Sequence, residues 1–574
     1  MMLGGGALRP LLPTLLLLPL LLAAERPVAP DVSIASTRSP LDPAATLRAP
    51  LLKTDGAAPG RRLPPIPARQ TRFLLLDRRV VERVEGHTGA GHSNVSLVLG
   101  GATKEPANPL ICEDRPWEVT WLNTDPDVWY DESAKVWHAF YLSCLSCGSL
   151  KRPGACPSLN YKYQPYVQPT TFDGKKILPH EQAMAMLYAN SSDGIHFAKP
   201  ILHLTEYNGS TANNIISPNV GGVLLDRPER NASRRWKMFG SVKAGSGADQ
   251  RELETWFSRD GLTWGPAFDS NASKVVLGDK RGGDTHSNLF RIAAAGSGSS
   301  DGAASFGAVT RIDHLTDPNI RRVGLSTTTA EFREYTAAQE VLSGVAKNQT
   351  YGMQVAPWAE SGMYIGSLAI YASGSPDEKV FNELAISHDG LTWERLNTGS
   401  SFIPLGAGGS FDSHTIYSAK PLLDPRDGSV RLYYSGGNGP HSKARADCIG
   451  LARFHTDGFA GWTVAAGASR GVVRTQPLNF TATALGGLRL NAVVGARQHG
   501  GGGSVVVEAL GVDDGSLIAR SQPITTSVSD GAAAAGGNLI WAAGTPPLRW
   551  PARRSCVLQF KLVGDATVFS FVAR

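Results

Sequence analysis

The sequence predicts an all-β protein, a five-bladed β-propeller followed by a C-terminal β-sandwich. The first observation behind this prediction is a long repeat of five units, four of which carry an Asp-Gly turn followed by an aromatic residue. The second is a run of short alternating strands that continues after the repeat stops. A fixed long period indicates a repeat architecture, and several short strands per unit favour propeller blades over a solenoid. The 63 glycines and 37 prolines suit a fold with many turns.

The N-terminus is predicted to be a targeting segment. Arg9 precedes an apolar run over residues 11–24, which is typical of a secretory signal peptide at residues 1–24, with an uncleaved anchor as the alternative. Residues 25–69 are rich in Pro and Ala without a sustained period, and are predicted to be a disordered linker. The mature protein is therefore expected to be secreted and free of the membrane.

The propeller is predicted over residues 70–469 from its repeats. These are "SSDGIHF" from Ser191, "SRDGLTW" from Ser258, "SHDGLTW" from Ser387, "HTDGFAGW" from His455, and "STTTAEF" from Ser326 with Thr328 in the Asp position. The turn recurs at intervals of 67, 68, 61 and 68 residues, which defines five units. Glycine accepts positive φ there and the Asp side chain binds nearby backbone N–H groups. The four aspartates are Asp193, Asp260, Asp389 and Asp457, and the pattern predicts scaffold for them.

The sandwich is predicted over residues 470–574. There the segments "GSVVVEALG", "CVLQFKLVG" and "ATVFSFVAR" alternate between apolar and polar residues and are separated by Gly-rich and Ser-rich turns. Since 574 residues are too many for one ordinary core, two structured domains are expected.

Charge and cysteine content narrow the function classes. A formal net charge of +6 without a Lys/Arg block does not indicate a nucleic-acid partner. Seven N-x-Ser/Thr sequons fit a glycoprotein: Asn94, Asn190, Asn208, Asn231, Asn271, Asn348 and Asn479. Six cysteines permit disulfides whose connectivity stays open: Cys112, Cys144, Cys147, Cys156, Cys448 and Cys556. Outside the cell, local disulfides are the better interpretation of Cys144, Cys147 and Cys156 than zinc ligation.

The candidate site lies where inner strands begin. The predicted inner strands are "DPDVWYD", "SPNVGGVLLD", "GDTHSNLF", "YGMQVAPW" and "SFDSHTIYSA", and in a propeller all five converge on one axial cavity. Three of them bring an aspartate at or near their start, namely Asp125 together with Asp127, Asp284, and Asp412. Glycoside cleavage needs one carboxylic acid and one carboxylate, which converging strands could supply. For any single one of these residues, capping a turn is the alternative interpretation.

The motifs "NPLICEDRPWE", "DPDVWYDESAKVWHAFY", "ELAISHDGLTWERL" and "GSFDSHTIYSAKPLL" resemble the five-bladed propeller superfamily of glycoside hydrolase families 43 and 32, which includes arabinanase, levansucrase and invertase types. The likeness runs from about residue 73 to the end and is greatest to a secreted, poorly characterised family 32-like branch. It implies that Asp125, followed by Pro, is the general base or nucleophile. It also implies that Asp284 orients the sugar and tunes the pKa of the acid.

The sequence departs from that family at the general acid. The expected Glu-Gly-Pro or Glu-Cys motif does not occur, and the corresponding strand reads Gly352, Met353, Gln354. Glu383 and Asp412 are therefore the two candidates for the acid. "WLNTDP" resembles the family 32 nucleophile motif, but Thr124 is an insertion, so fructan specificity is not predicted.

Further residues near the inner strands are predicted to contact substrate: Asp127, Trp129, His286, Tyr351, Gln354 and His414. Aromatic rings there could stack on sugar faces, although packing in the core is the commoner fate of such rings. His286 and His414 could hold an axial water or cation, but ordinary hydrogen-bonded histidines are the simpler interpretation. No cofactor or metal is predicted, and an axial calcium or sodium ion is compatible but not indicated.

Three functions remain open from the sequence. The first is a secreted hydrolase of poly- or oligosaccharides, and the second is a carbohydrate-binding propeller that lacks the acid. The third is a sialidase, since "SRDGLTW" resembles that family's Asp box. Five periods and the lack of an arginine triad at the inner strands argue against a sialidase. The sequence leaves the sugar, the linkage and the oligomeric state open.

Overall fold

The computed structural model describes most of the chain from residue 54 onward. The described residues are 54–55, 63–67, 70–81, 94–121, 123–145, 170–177, 183–241, 253–266, 283, 287–292, 305–313, 321–342, 344, 347–358, 360–442, 445–481, 484, 486–495, 502–529, 538–542 and 554–573. The predicted signal peptide and most of the predicted linker lie outside these residues.

The described chain is almost entirely β. Its strands are β1 (Thr54–Asp55), β2 (Arg72–Leu74), β3 (Val95–Leu99), β4 (Thr103–Lys104), β5 (Ile111–Cys112), β6 (Asp127–Asp131), β7 (Val136–Cys144), β8 (Thr170–Phe172), β9 (Lys175–Ile177), β10 (Met184–Ser191), β11 (Ile215–Ser217), β12 (Val220–Leu225), β13 (Trp236–Ser241), β14 (Leu253–Ser258), β15 (Gly265–Pro266), β16 (Asn288–Ile292), β17 (Ser305–Asp313), β18 (Arg321–Thr329), β19 (Gln339–Leu342), β20 (Gln349–Trp358), β21 (Met363–Tyr371), β22 (Val380–Ser387), β23 (Trp393–Leu396), β24 (Thr415–Ser418), β25 (Leu422–Leu423), β26 (Val430–Gly437), β27 (Asp447–Phe454), β28 (Ala460–Val464), β29 (Arg470–Arg474), β30 (Leu478–Phe480), β31 (Arg489–Val494), β32 (Ser504–Gly511), β33 (Leu517–Arg520), β34 (Arg554–Val563) and β35 (Ala566–Val572).

Helix is minor in this part of the chain. It consists of a single 3-10 turn at Ala232–Arg234 and a helical turn around Ala484 and Gly486. Among the described residues, no helix has the length and apolar character needed to cross a membrane.

The first part of the chain forms successive antiparallel sheets. Three of them have four strands each, in the orders β6-β7-β10-β11, β12-β13-β14-β15 and β16-β17-β18-β19. Strands β20 to β23 follow one another in a fourth group, and β24, β26 and β27 form a fifth. A single parallel pair, Val380 with Thr415, joins these last two groups into one sheet. The five predicted inner strands are therefore the first strands of five consecutive groups.

The Asp-Gly turn follows the third strand of its group in each case. In three copies the Ser hydroxyl accepts the N–H of the Gly, and Asp Oδ1 accepts the N–H groups two and three residues on, as at Asp389 with Leu391 and Thr392. The same bonds form at Asp193 and Asp260. The turn glycines have φ of 75° to 78°. The scaffold role predicted for these three aspartates is confirmed.

The fifth group is completed from the N-terminal side. β4 and β5 both pair with β27, so the chain ahead of the first group supplies the outer strand of the last one. A disulfide between Cys112 and Cys448 also joins β5 to β27. This resolves one pairing that the sequence left open, whereas Cys147 and Cys156 lie outside the described residues.

The C-terminal strands form two further sheets of five strands. One has the order β2-β35-β28-β3 with β31 against β35, and the other has β29-β34-β32-β33 with β30 against β34. Their facing side chains share one core, which includes Phe73, Leu490, Val507, Phe560 and Phe571. Strands β2, β3 and β28 belong to these sheets, although they fall within the interval 70–469 assigned to the propeller. The alternating pattern of a strand does not specify its partner strand, so the sequence could not assign them.

Asp457 is the exception among the Asp-Gly turns. It is fully buried and has a φ of 55°. Its Oδ2 accepts from Arg72 on β2 at 2.6 Å and from Asn491 on β31 at 3.1 Å, and its Oδ1 accepts from Trp358 on β20 at 2.7 Å. Asp457 therefore remains scaffold, as predicted, but it ties the fourth strand group to a C-terminal sheet.

Candidate functional site

Three of the inner strands meet at a buried ion pair. Lys420, just after β24, lies 2.9 Å from Asp127 Oδ1 on β6 and donates to the Val223 carbonyl on β12 at 3.2 Å. The Val223 N–H donates to Asp127 Oδ2 at 2.6 Å, and Trp129 Nε1 donates to the Val223 carbonyl at 2.9 Å. Asp127 and Trp129, both predicted to bind substrate, are buried in contacts between sheets. For Trp129, the structure therefore matches the alternative of core packing.

Asp125 lies two residues before β6 and is half-buried. It ends a run of three residues with positive φ, 69° at Asn123, 36° at Thr124 and 39° at Asp125. Non-glycine residues in this region carry backbone strain of roughly 1–3 kcal/mol each, and persist only where their surroundings hold them. The Leu142 N–H on β7 donates to the Thr124 carbonyl at 2.7 Å, which fixes one side of this segment.

A buried ion pair fixes the other side of the Asp125 segment. Asp447, the first residue of β27, accepts the Asn123 N–H at 2.9 Å with Oδ2 and the Arg445 Nε–H at 2.9 Å with Oδ1. Arg445 Nη2 donates to Asn123 Oδ1 at 2.5 Å, and Arg445 Nη1 donates to the His441 carbonyl at 2.6 Å. The fifth strand group thereby holds the segment that leads into the first.

Three tyrosines and a histidine gather at the same end of the sheets. Tyr351 lies near the start of β20, Tyr371 at the end of β21, Tyr417 on β24, and His441 between β26 and β27. The His441 ring centroid lies 5.0 Å from that of Tyr351 and 4.4 Å from that of Tyr371. Tyr417 and His441 Nδ1 share a hydrogen bond. We call Asp125, these tyrosines and His441 the rim cluster.

One arginine approaches each tyrosine of the rim cluster. Arg311 Nη1 donates to the Tyr351 hydroxyl at 2.7 Å. The guanidinium carbon of Arg321 lies 5.9 Å from the Tyr371 ring centroid, and that of Arg445 lies 5.9 Å from the Tyr417 ring centroid. These arginines come from second strands, third strands and a loop. Inspection of the inner strands alone therefore missed them.

Burial decides the ionisation of the inner groups. Burial raises the pKa of Asp447, and the attraction of Arg445 opposes that rise. Burial also raises the pKa of Tyr417 well above its usual value, and the nearby charge of Asp125 adds to the effect. Burial, reinforced by the charge of Glu378, raises the pKa of Tyr371 to about 12. Tyr371 and Tyr417 are therefore neutral hydrogen-bonding groups at ordinary pH.

The rim cluster has the chemistry of a sugar site. Aromatic faces stack on the apolar faces of sugar rings, and hydroxyl and guanidinium groups bond to sugar hydroxyls. A half-buried carboxylate beside them could act as a base or nucleophile at a bound glycoside. Two residues predicted from sequence belong to this cluster: Asp125, whose charge acts on Tyr417, and Tyr351, whose ring centroid lies 6.2 Å from that of Tyr417.

Glu383, a candidate acid, lies elsewhere. It is on β22, the third strand of its group, and is fully buried. Its Oε2 accepts from Arg395 Nε on β23 at 2.8 Å and lies 2.7 Å from Arg395 Nη2, while Oε1 accepts the Gly399 N–H at 2.8 Å. These contacts point away from β20, the inner strand of that group, because β23 lies on the far side of β22.

Asp412 is also held in a structural network. Its Oδ2 accepts from Lys104 on β4 at 2.5 Å and from the Tyr434 hydroxyl at 2.8 Å, and its Oδ1 accepts from Ser410 at 2.9 Å. β4 is the outer strand of the fifth group, so this carboxylate ties its inner loop to its edge.

The remaining predicted residues differ in placement. His414 is half-buried just before β24, where its backbone N–H donates to the Gly437 carbonyl at 3.0 Å. Gln354 is buried on β20, and its Oε1 has no hydrogen-bond partner among the described residues. Asp284 and His286 lie outside the described residues.

Sequence patterns did not indicate several residues of this region: Arg311, Arg321, Tyr371, Tyr417, His441, Arg445 and Asp447. Tyr417 lies within the quoted inner strand "SFDSHTIYSA", where only the acidic and histidine residues were singled out. His441 and Asp447 flank a loop between two strands of the fifth group. The signal that could have found them is position, because the ends of second strands and the starts of third strands lie level with the inner-strand starts.

No protein-family model and no curated protein matches this chain. Solved structures similar to it include an exo-β-1,3-galactanase from Phanerochaete chrysosporium with galactose, at 12% identity over 83% of this chain and 100% of that one, with a TM-score of 0.31. An exo-inulinase from Aspergillus awamori shares 11% identity over 82% and 99% of the two chains, with a TM-score of 0.34. An endo-arabinase from Bacteroides thetaiotaomicron shares 10% identity over 58% and 95%, with a TM-score of 0.33.

These enzymes are glycoside hydrolases, as is the superfamily that the sequence motifs resemble. Identities of 10–12% and TM-scores of 0.31–0.34 are too low to transfer a substrate or a catalytic residue to this chain. The function of this chain is therefore inferred from its own side chains.

Proposed function

We propose that this protein is a secreted glycoside hydrolase of poly- or oligosaccharides, with Asp125 as base or nucleophile. In this proposal the five strand groups close into a five-bladed propeller, and the two C-terminal sheets form a supporting β-sandwich. The signal peptide directs export, and the sequons carry glycans. Five of the sequon asparagines are exposed: Asn94, Asn208, Asn231, Asn348 and Asn479.

The observation that carries the proposal is the rim cluster. Asp125 is a half-buried carboxylate in a strained segment, and its charge acts on Tyr417, whose ring neighbours Tyr351 and His441. Strained backbone, a carboxylate and convergent aromatic rings at one point of a scaffold are the features of a built site. The three tyrosine rings are buried, so the half-buried Asp125 and His441 are the groups of the cluster that a sugar could contact, with the tyrosines packed behind them.

In the proposed reaction, the Asp125 carboxylate either removes a proton from a water that attacks the anomeric carbon, or attacks that carbon itself to form a glycosyl ester that water then hydrolyses. A carboxylic acid donates a proton to the leaving oxygen. Asp284 is proposed, as the resemblance implies, to orient the sugar and tune the pKa of that acid. Glu383 and Asp412 are less suited to be the acid, because each is already held by a cation and further hydrogen-bond donors.

A second function has its own support. The strand that corresponds to the acid-bearing strand of the resembled families reads Gly352, Met353, Gln354 and has no carboxylic acid there. With Glu383 and Asp412 held in ion pairs, a propeller that binds glycans without cleaving them is the alternative. The two functions differ in turnover but share the rim cluster.

The test uses secreted full-length protein and a panel of oligosaccharides and aryl glycosides. Wild type is compared with Asp125→Asn and Asp284→Asn. The matched control is Asp131→Asn, at the far end of β6, where Asp131 accepts the Ser133 N–H at 2.8 Å in a hairpin turn. We expect wild-type turnover that both site variants lose and the control keeps, at unchanged melting temperature. Binding without turnover in wild type would instead establish the glycan-binding function.

A further inference from the structure

We propose that the Arg445–Asp447 ion pair is a positioning unit, which fixes Asp125 and His441 relative to each other. The inference rests on the proposed function for its catalytic meaning. It assigns to residues of the fifth strand group the placement of a carboxylate that belongs to the first.

The contacts of the pair are directed at both groups. Asp447 holds the Asn123 N–H, and Arg445 holds the Asn123 side chain and the His441 carbonyl, with all donor–acceptor distances between 2.5 and 2.9 Å. Both members of the pair are almost fully buried, so water does not compete for these bonds. One guanidinium thereby connects the segment before Asp125 with the loop that carries His441.

The backbone of the Asp125 segment requires such support. Asn123, Thr124 and Asp125 all have positive φ, and none is glycine. Released from its contacts, the segment would relax toward negative φ and move the Asp125 carboxylate. The Thr124 carbonyl bond to β7 fixes the middle of the segment, while the contacts at Asn123 come from Arg445 and Asp447.

The geometry requires arginine at position 445. Three separate nitrogens of one planar group donate in three directions, to Asp447, Asn123 and His441. Lysine has a single ammonium on a flexible stem and cannot hold three such partners at fixed separations. Charge alone would therefore not preserve the arrangement.

The test compares Arg445→Lys and Asp447→Asn with Arg453→Lys as the matched control. Arg453 lies on β27, the strand that begins at Asp447. It pairs with Glu105 at 2.9 Å, away from Asn123 and His441. The first readout is amide hydrogen exchange of the full-length protein over residues 121–127, which needs no substrate. We expect exchange there to become at least about tenfold faster in both pair variants and to stay unchanged in the control. Unchanged exchange in the pair variants would overturn the proposal.

The second readout is turnover of whichever panel glycoside the wild type cleaves. A displaced carboxylate should lower kcat by roughly 10- to 100-fold with KM within about threefold, because misplacement by about 1 Å affects the reacting geometry more than binding. Faster exchange with unchanged kcat would overturn the positioning role. If wild type cleaves nothing, the hydrolase proposal fails. Hydrogen exchange alone then decides whether the Arg445–Asp447 pair holds the Asp125 segment in place. If Arg445→Lys does not fold, Asp447→Asn, which keeps an oxygen acceptor, provides the same comparison.

Discussion

Asp125 and Glu383 are two acidic residues that the sequence predicted for the same site, and the structure gives them opposite surroundings. Glu383 is fully buried and bonded by Arg395 through two nitrogens and by the Gly399 N–H. Asp125 is half-buried in strained backbone, and its charge acts on Tyr417. The first arrangement stabilises a sheet, whereas the second leaves a carboxylate beside groups that suit a sugar. An acidic residue near the site in sequence is therefore weak evidence of catalysis until its partners are known.

The largest expected difference between the two residues is in activity. Asp125→Asn should lower kcat/KM by about 1,000-fold or more, equivalent to about 4 kcal/mol of transition-state stabilisation, because the amide can act neither as base nor as nucleophile. Glu383→Gln should change kcat/KM by less than about threefold. Both values come from initial rates on the glycoside that wild type cleaves. Equal losses of kcat/KM in the two variants would mean that Asp125 and Glu383 do not differ in their importance for activity.

Stability should show the reverse order. Glu383→Gln leaves the Arg395 guanidinium buried without its counter-charge, which should lower the free energy of unfolding by about 3 kcal/mol. Asp125→Asn should have no comparable effect. Thermal denaturation of both variants at one pH makes the comparison. A drop in melting temperature for Asp125→Asn of the same size as for Glu383→Gln would make Asp125 a scaffold residue as well.

Asp389, in an Asp-Gly turn, is a third acidic residue for this comparison. Its carboxylate stabilises the turn by accepting backbone N–H groups. Desolvation raises the pKa of Asp389, but the Thr392 and Leu391 N–H groups outweigh it, so the pKa is lowered overall. The stabilisation is therefore present above about pH 4 and is lost as pH falls through the lowered pKa. Asp389→Ala should cost about 1–2 kcal/mol at pH 7 and less at pH 2.5, measured by urea denaturation. A penalty that does not shrink in acid would show that the charge is irrelevant to the turn.

The smallest effect is expected at Asp412. Its partner Lys104 is 27% exposed, so water can solvate the ammonium when the carboxylate is lost. Asp412→Asn should therefore lower stability by about 1 kcal/mol or less and leave activity within about threefold. Differential scanning calorimetry beside Glu383→Gln provides the comparison. A large loss of turnover at unchanged melting temperature would return Asp412 to the list of candidate acids.

Much of the strand arrangement follows from local pattern. The five inner strands and the turns after the third strands were predicted from Asp-Gly-aromatic spacing, because that turn chemistry depends only on neighbouring residues. The same local pattern predicted the scaffold role of Asp457 but not its contacts, since its φ and partners differ from those of Asp193, Asp260 and Asp389. Its partners come from β2, β20 and β31, which are distant in the chain.

The sequence by itself determined the β character, the five-unit period, the scaffold turns and the candidacy of Asp125, since each depends on residue types at short or regular spacing. Only the tertiary structure decided that Glu383, Asp412 and Asp127 are engaged in ion pairs. It alone brought Arg445 and Asp447 onto Asn123, two residues before Asp125, and tied them to His441. These contacts join the first and fifth strand groups, more than 300 residues apart for Asn123 and Asp447. No local pattern encodes them, because they depend on how the sheets are arranged in space.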